Sequence, residues 1–213
     1  MSFAHIYDAL MADIDFEEIY NFIKPFIKDK KTLIDAGCGS GYLTTLFAKD
    51  FDVIGLDIDS DMLALAKQKL EQNHLNAKLF EHDLNDEILL DTDVIVALFD
   101  VINYFIDPKK VLSHFYQALN DTGYLILDVY KEEMLDVYDG YFEEDHEPFL
   151  YEWKINREGQ KITHHIKVDQ KEDQITQYIY PILMYKKMLE DIGFDVLITD
   201  GVDERKHYII AKK

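Results

Sequence analysis

Three glycines within five residues, Gly37, Gly39 and Gly41, stand between an apolar run ending in Asp35 and the helix-like stretch "YLTTLFAKD". A glycine turn from strand to helix lets the backbone pass close under a nucleotide. The dehydrogenase pattern G-x-G-x-x-G, counted from Gly37, requires a glycine at position 42, where Tyr42 stands. A phosphate-cradling loop requires an adjacent lysine and serine or threonine pair directly after it, and no such pair follows. Two more carboxylates end the next apolar runs: Asp57, 22 residues beyond Asp35 (57 − 35 = 22), and Asp83. The first is placed to accept hydrogen bonds from ribose hydroxyls, and the second from an adenine amino group. Acids without a phosphate cradle suit a nucleoside carrying positive charge, and S-adenosylmethionine, with its sulfonium, fits best.

These groups must be positioned by the elements around them. Ile19, Phe22, Ile23, Phe26 and Ile27 recur at helical spacing, and Pro25 is expected to kink or split that helix. Strands are expected at "TLIDAG" (32–37), "DVIGLDI" (52–58), "AKLFEHD" (77–83) and "DVIVALFD" (93–100). A fifth, "YLILDVY" (124–130), follows a turn at Asp121-Thr122-Gly123. Between them, Asp59 or Ser60 can cap a helix burying Met62, Leu65, Ala66 and Leu70, and Asp107-Pro108 can open another. Alternating strands and helices from 32 to 130 predict a doubly wound parallel sheet, an α/β fold. Residues 147–180 instead alternate with period two in three segments, which predicts antiparallel sheet with one covered face. A helix (181–194) and two strands then return to the core. The whole chain, 1–213, reads as a single domain, with 131–180 a β-rich insertion acting as a lid or as a substrate or dimer surface.

The balance of 42 acidic against 22 basic residues gives a charge of −20, and Arg157 and Arg205 are the sole arginines. Gripping a phosphate backbone needs a basic patch, so nucleic acid is disfavoured as a partner. The N-terminus has no basic segment followed by an apolar run, and no apolar stretch approaches the length of a membrane span. One cysteine, Cys38, excludes an internal disulfide and a cysteine-rich metal site. A cytoplasmic protein is expected, monomer or dimer. His164 and His165 are strand neighbours pointing to opposite faces, so they cannot share a metal ion, and no metal is expected.

"LIDAGCGSG", "VIGLDIDSDML" and "FEHDLND" resemble, in order, the first three motifs of class I S-adenosylmethionine-dependent methyltransferases, in particular a bacterial subgroup acting on small molecules. "FAHIYDALM" resembles that family's N-terminal segment, and "LFDVINYF" its fourth-strand motif. The resemblance implies a Rossmann-like sheet, mostly parallel with an antiparallel last strand. It places Ile58 and Met62 beside the adenine with Asp83 and Leu84, closes Tyr7 over the methionine end, and sets Phe99 between cofactor and acceptor. It covers 1–130 and 181–213, and little of 131–180.

Methyl transfer from a sulfonium needs an acceptor held in line, and a base only when the acceptor must lose a proton. Asp100, Asn103 and Tyr104 follow the fourth strand's C-terminal end, where open α/β sheets bind ligands. Asp100 or Tyr104 could orient or deprotonate an acceptor, capping and packing being their alternative roles. Tyr130 ends the fifth strand at the same mouth, and His146 is a candidate base on a loop. The expected reaction is methylation of a small-molecule acceptor. Methylation of RNA or protein, and a non-catalytic S-adenosylmethionine-binding regulator, are the alternatives.

Overall fold

The computed structural model describes residues 3–213. Two helices, α1 (Phe3–Leu10) and α2 (Phe16–Ile27), precede β1 (Thr32–Ala36), α3 (Tyr42–Phe47), β2 (Asp52–Asp57), α4 (Ser60–Gln72), β3 (Lys78–Glu81) and β4 (Thr92–Ala97). A 3-10 turn (Val101–Tyr104) leads to α5 (Pro108–Ala118), β5 (Leu119–Tyr130) and α6 (Met134–Tyr138). The inserted strands are β6 (Phe142–Asp145), β7 (Tyr151–Glu158), β8 (Lys161–Val168) and β9 (Lys171–Tyr178). Helix α7 (Ile182–Ile192) and strands β10 (Asp195–Thr199) and β11 (Lys206–Lys212) complete the chain.

The main sheet has seven strands in the order β10-β11-β5-β4-β1-β2-β3. Strands β1 to β5 pair in parallel, and β11 runs antiparallel to both its neighbours. The strand period of two divides β4 between the layers. Ile95 and Ala97 join the cluster under α5 and α7, with Leu112, Phe115 and Leu189, whereas Val94 and Val96 join Ile23 and Phe47 on the opposite face. Both faces are therefore covered, as a parallel sheet requires.

Helix starts follow local chemistry. Asp59 accepts from the Asp61 and Met62 N–H groups and caps α4, while Asp107 accepts from Lys109 N ahead of Pro108 in the first turn of α5. Pro25 neither ends nor splits α2, which runs unbroken from Phe16 to Ile27. Residues 121–123 form no turn between separate elements. Strand β5 begins at Leu119, and the excess residues are absorbed where Thr92 pairs with Leu119 but Val94 pairs with Tyr124, with Thr122 at φ 67°.

The insertion holds four antiparallel strands, β6-β7-β8-β9, one more than the sequence pattern indicated, because β6 has no alternation of its own. Ile155 and Ile162 pack with Tyr130, Met134 and Tyr138, and Ile166 and Val168 pack with Ile6 of α1. Among the described residues, no helix is long and apolar enough to cross a membrane.

Candidate active site

Strands β1 and β4 are central neighbours whose connections leave toward opposite sheet edges, the switch point at which open α/β sheets bind ligands. The glycine loop sits there, tied to β2 by Gly37 N and Cys38 N donating to the Leu56 carbonyl at 2.7 and 2.9 Å. All three glycines have left-handed φ: 71°, 52° and 81°. A Cβ on Gly37 would lie 2.6 Å from Val101, and one on Gly41 2.6 Å from the Ala66 Cβ of α4. A Cβ on Gly39 would meet nothing within 4 Å, so Gly39 lies beneath open space. Its N–H donates to Asp57 Oδ2 at 2.7 Å, and Asp59 N donates to Oδ1 at 2.9 Å, which fixes the carboxylate at the end of β2. Burial raises the Asp57 pKa.

Over this loop opens a cavity of about 410 Å³. Tyr7, Gly37, Gly39, Asp57, Ile58 and Met62 line it, as do Asp83, Leu84 and Phe99. Ile58 keeps 66% of its surface exposed, so it is an apolar cavity wall and not core. Beside Asp83, the Nε2 of His82 is buried with no hydrogen-bond partner among the described residues. Such an orphaned polar atom, together with the open space at Gly39 and the fixed carboxylate, fits a nucleoside with hydrogen-bonding edges and no phosphate.

Two expected cofactor residues, Asp35 and Gly41, line a smaller adjoining cavity of about 40 Å³ that shares Tyr7, Gly37, Gly39 and Phe99 with the first. Asp35 is 4% exposed and accepts a 2.5 Å hydrogen bond from the Thr44 hydroxyl, which locks the loop to α3. Burial lifts its carboxyl to about 7, the Thr44 bond opposing and Asp57 adding to the rise. Gly41 brings α3 against Ala66 and serves helix packing.

Tyr7, Phe99 and Tyr104 also line a second cavity of about 600 Å³, so the two spaces share a wall. The insertion supplies Trp153, His164, Ile166, Ile175 and Gln177 to this second cavity. At the shared wall, Phe99 and Asp100 both have left-handed φ, 62° and 57°. Two consecutive non-glycine residues in that region are strained and need support from outside. It comes from Asp128 of β5, which accepts from Phe99 N at 3.1 Å and Asp100 N at 2.6 Å. Lys206 of β11 completes the support, its Nζ 2.6 Å from Asp100 Oδ1 and 3.2 Å from Asp128 Oδ2. Gln177 of β9 donates to the other Asp100 oxygen.

The electrostatics follow from burial. Burial opposes the Lys206 charge, but Asp100 and Asp128 overcome it and hold the ammonium's pKa above the ordinary lysine value. Burial raises Asp128, with Lys206 and two backbone N–H groups opposing. Desolvation, then Asp100 and Asp57, push the Tyr104 phenol up, and desolvation with Tyr104 and Asp100 does the same to Tyr7. Both phenols are neutral near pH 7, able to donate a hydrogen bond but not to act as bases. Burial lowers His164, which sits between Trp153 Nε1 at 3.1 Å and Gln177 Oε1 at 3.0 Å.

Asp100, Tyr104 and Tyr130 thus come together on the second cavity. Asn103 and His146 line neither cavity. Asn103 is fully buried, donating to the Tyr178 carbonyl at 2.7 Å and the Tyr185 hydroxyl at 3.3 Å, while its Oδ1 accepts from Tyr130 N. With its polar atoms engaged in tying the insertion to the sheet, it has nothing to offer an acceptor. His146 is exposed on the loop after β6 and lines neither cavity.

Lys206, Asp128 and Gln177 escaped the sequence reading. A signal existed for Asp128: a carboxylate inside the apolar run "YLILDVY" must find a partner once the strand is buried.

A seven-stranded sheet with its last strand reversed and a cavity over the glycine loop at the switch point is the fold of class I S-adenosylmethionine-dependent methyltransferases. The chain belongs to the methyltransferase domain family, whose pattern matches residues 27–187. It is 28% identical to a protein of Geobacillus sp. (strain WCH70) named as a methyltransferase, over 100% of this chain and 98% of that one. In fold it is similar to an S-adenosylmethionine-dependent methyltransferase from Clostridium acetobutylicum, with a TM-score of 0.87 and 23% identity over 99% and 97% of the two chains. It is also similar to a sugar N-methyltransferase from a Streptoalloteichus species, with a TM-score of 0.86 and 18% identity over 100% and 93%.

Proposed function

We propose that this protein transfers a methyl group to a small-molecule acceptor held under the β6–β9 insertion, which serves as a lid. The observation that carries this reading is the wall of Tyr7, Phe99 and Tyr104 common to both cavities. When bound, S-adenosylmethionine supplies an activated methyl group and a thioether leaving group. Asp57 would hold the ribose hydroxyls, Asp83 and Leu84 the adenine with Ile58 and Met62, and Gly37 and Gly39 the backbone floor. Tyr7 and Phe99 would close over the methionine end.

The chain's main work is then positioning, since holding reacting atoms about 3–3.5 Å apart can supply roughly 7–11 kcal/mol. Asp100, which unlike Asn103 lines the cavity and keeps carboxylate lone pairs beyond those taken by Lys206 and Gln177, orients the acceptor, Tyr104 donates toward it, and Tyr130 packs against it. Trp153 and Ile166 of the lid exclude water. A concave cavity of about 600 Å³, open at its rim, suits a metabolite better than a folded macromolecule. A structural neighbour is a sugar N-methyltransferase, and the strong acidity disfavours RNA. A cytoplasmic location fits a chain with one half-buried thiol.

Incubation with labelled methyl donor and separate metabolite, RNA and protein fractions tests the reading. Label in the metabolite fraction is expected; label confined to RNA or protein would refute it.

A further inference from the structure

We propose that the acceptor is an amine that enters as its ammonium ion and is methylated on nitrogen. This deepens the small-molecule reading above and rests on it. The site itself is given by the cavity and its shared wall; the charges around it choose among acceptors.

Six carboxyl groups line the acceptor cavity: Asp15, Glu18, Asp100, Asp128, Asp203 and Glu204. Two cations line it, and both are already matched. Lys206 is 3% exposed and bound between Asp100 and Asp128. Arg205 is forked onto Asp203 through Nε at 2.9 Å and Nη2 at 2.8 Å. Asp15, Glu18 and Glu204, all exposed, remain at the rim, and the buried triad sets two carboxyl groups against one ammonium. His164 is held neutral by burial and adds no compensating cation.

The apolar walls point the same way. Lys206 Nζ lies 5.2 Å from the ring centroids of both Phe99 and Tyr130, so this cavity already receives a cation over aromatic faces. Tyr7, Tyr104 and Trp153 offer further rings. A carboxylate or phosphate acceptor would be repelled by this lining, and a neutral alcohol would draw nothing from it and would need a stronger base.

The chemistry balances. The ammonium gives one proton to bulk water at the open rim as it enters, which frees the nitrogen lone pair. That pair forms the nitrogen–carbon bond as the sulfur–carbon bond breaks, and the bonding electrons stay on sulfur as a neutral thioether. The positive charge passes from sulfonium to alkylammonium, from the first cavity into the second, and the carboxylates stabilise it on arrival.

The test separates the small-molecule fraction of a bacterial extract at pH 7 into cationic, neutral and anionic pools by ion exchange. Each pool is incubated with the full-length protein and labelled S-adenosylmethionine. Label in the cationic pool, on nitrogen by mass spectrometry, is expected. Label confined to the neutral or anionic pool overturns the amine assignment and leaves the small-molecule reading standing. No label in any pool overturns both. With the labelled amine purified, the Glu18→Gln/Glu204→Gln double variant should raise its KM by about threefold or more, and added salt should raise the wild-type KM. Calorimetry should find the variant's affinity for S-adenosylhomocysteine unchanged. An unchanged KM for the amine, in the variant and in salt, would contradict the role of the charged rim.

Discussion

Lys206 Nζ lies 2.6 Å from Asp100 Oδ1, joining the reversed last strand to the strained residue that follows β4. The side chains are 3% and 13% exposed, and Asp128, at 4%, closes the triad. The left-handed backbone at Phe99 and Asp100 forms the wall common to both cavities, so the ion triad sets the shape of the site as well as fold stability.

Removing the lysine leaves two carboxylates facing each other without a counterion. Breaking a buried pair by deleting one partner costs about 3–5 kcal/mol. Lys206→Met is therefore expected to lower unfolding stability by that amount in urea titration and to reduce methyl transfer. A change within about 0.5 kcal/mol, the scale of a surface substitution, would mean that the triad does not hold the corner.

Asp35 gives a pH signature. Its folded carboxyl titrates at about 7 against 3.8 unfolded. Between those values the folded state holds a proton that the unfolded state has lost. Its contribution is thus complete below about pH 4, falls as pH rises toward 7, and is absent above, a change of up to about 4 kcal/mol. Asp35→Asn keeps an acceptor for Thr44 and removes the titration. Ligand-free Asp35→Asn protein should show a flatter stability profile from pH 4 to 7 than wild type; parallel profiles would place the wild-type titration elsewhere.

The loop glycines separate by role. Gly41→Ala drives a methyl to 2.6 Å from Ala66 Cβ and should lower the melting temperature by several degrees. Gly39→Ala meets no protein atom, so beyond the roughly 1–2 kcal/mol of left-handed strain its cost should fall on cofactor affinity. Thermal unfolding and calorimetry of the two variants check the division, and equal losses in both measurements would deny it.

Tyr104 is assigned a donor's role. Tyr104→Phe should lower kcat by less than the roughly 10²–10⁴-fold of a lost general base, with no limb removed from the pH profile. A larger loss together with a vanished limb would make the phenol the base.

What the sequence disclosed was local. Asp57 and Asp83 follow apolar runs, and the structure has Asp57 closing β2 and Asp83 two residues beyond β3. What it concealed was long-range. Lys206 meets Asp100 across 106 positions and Asp128 across 78, and neither partner is predictable from the strand that carries it. Asn103 sits in a motif that faces the site, yet its burial and its bonds to Tyr178 and Tyr185 follow from how the insertion folds back. The register shift at Thr92 and Val94 likewise absorbs a turn that local composition favoured.

Calorimetry of S-adenosylmethionine binding to wild type and to Asp57→Ala tests the account most directly. Asp57 is fixed by Gly39 and Asp59 at the floor of the first cavity, so the wild-type protein should bind and Asp57→Ala should bind at least about tenfold more weakly, a loss of about 1.4 kcal/mol or more. Equal affinities would remove Asp57 from the ribose, and no binding by the wild type would contradict the assignment of the cavity itself.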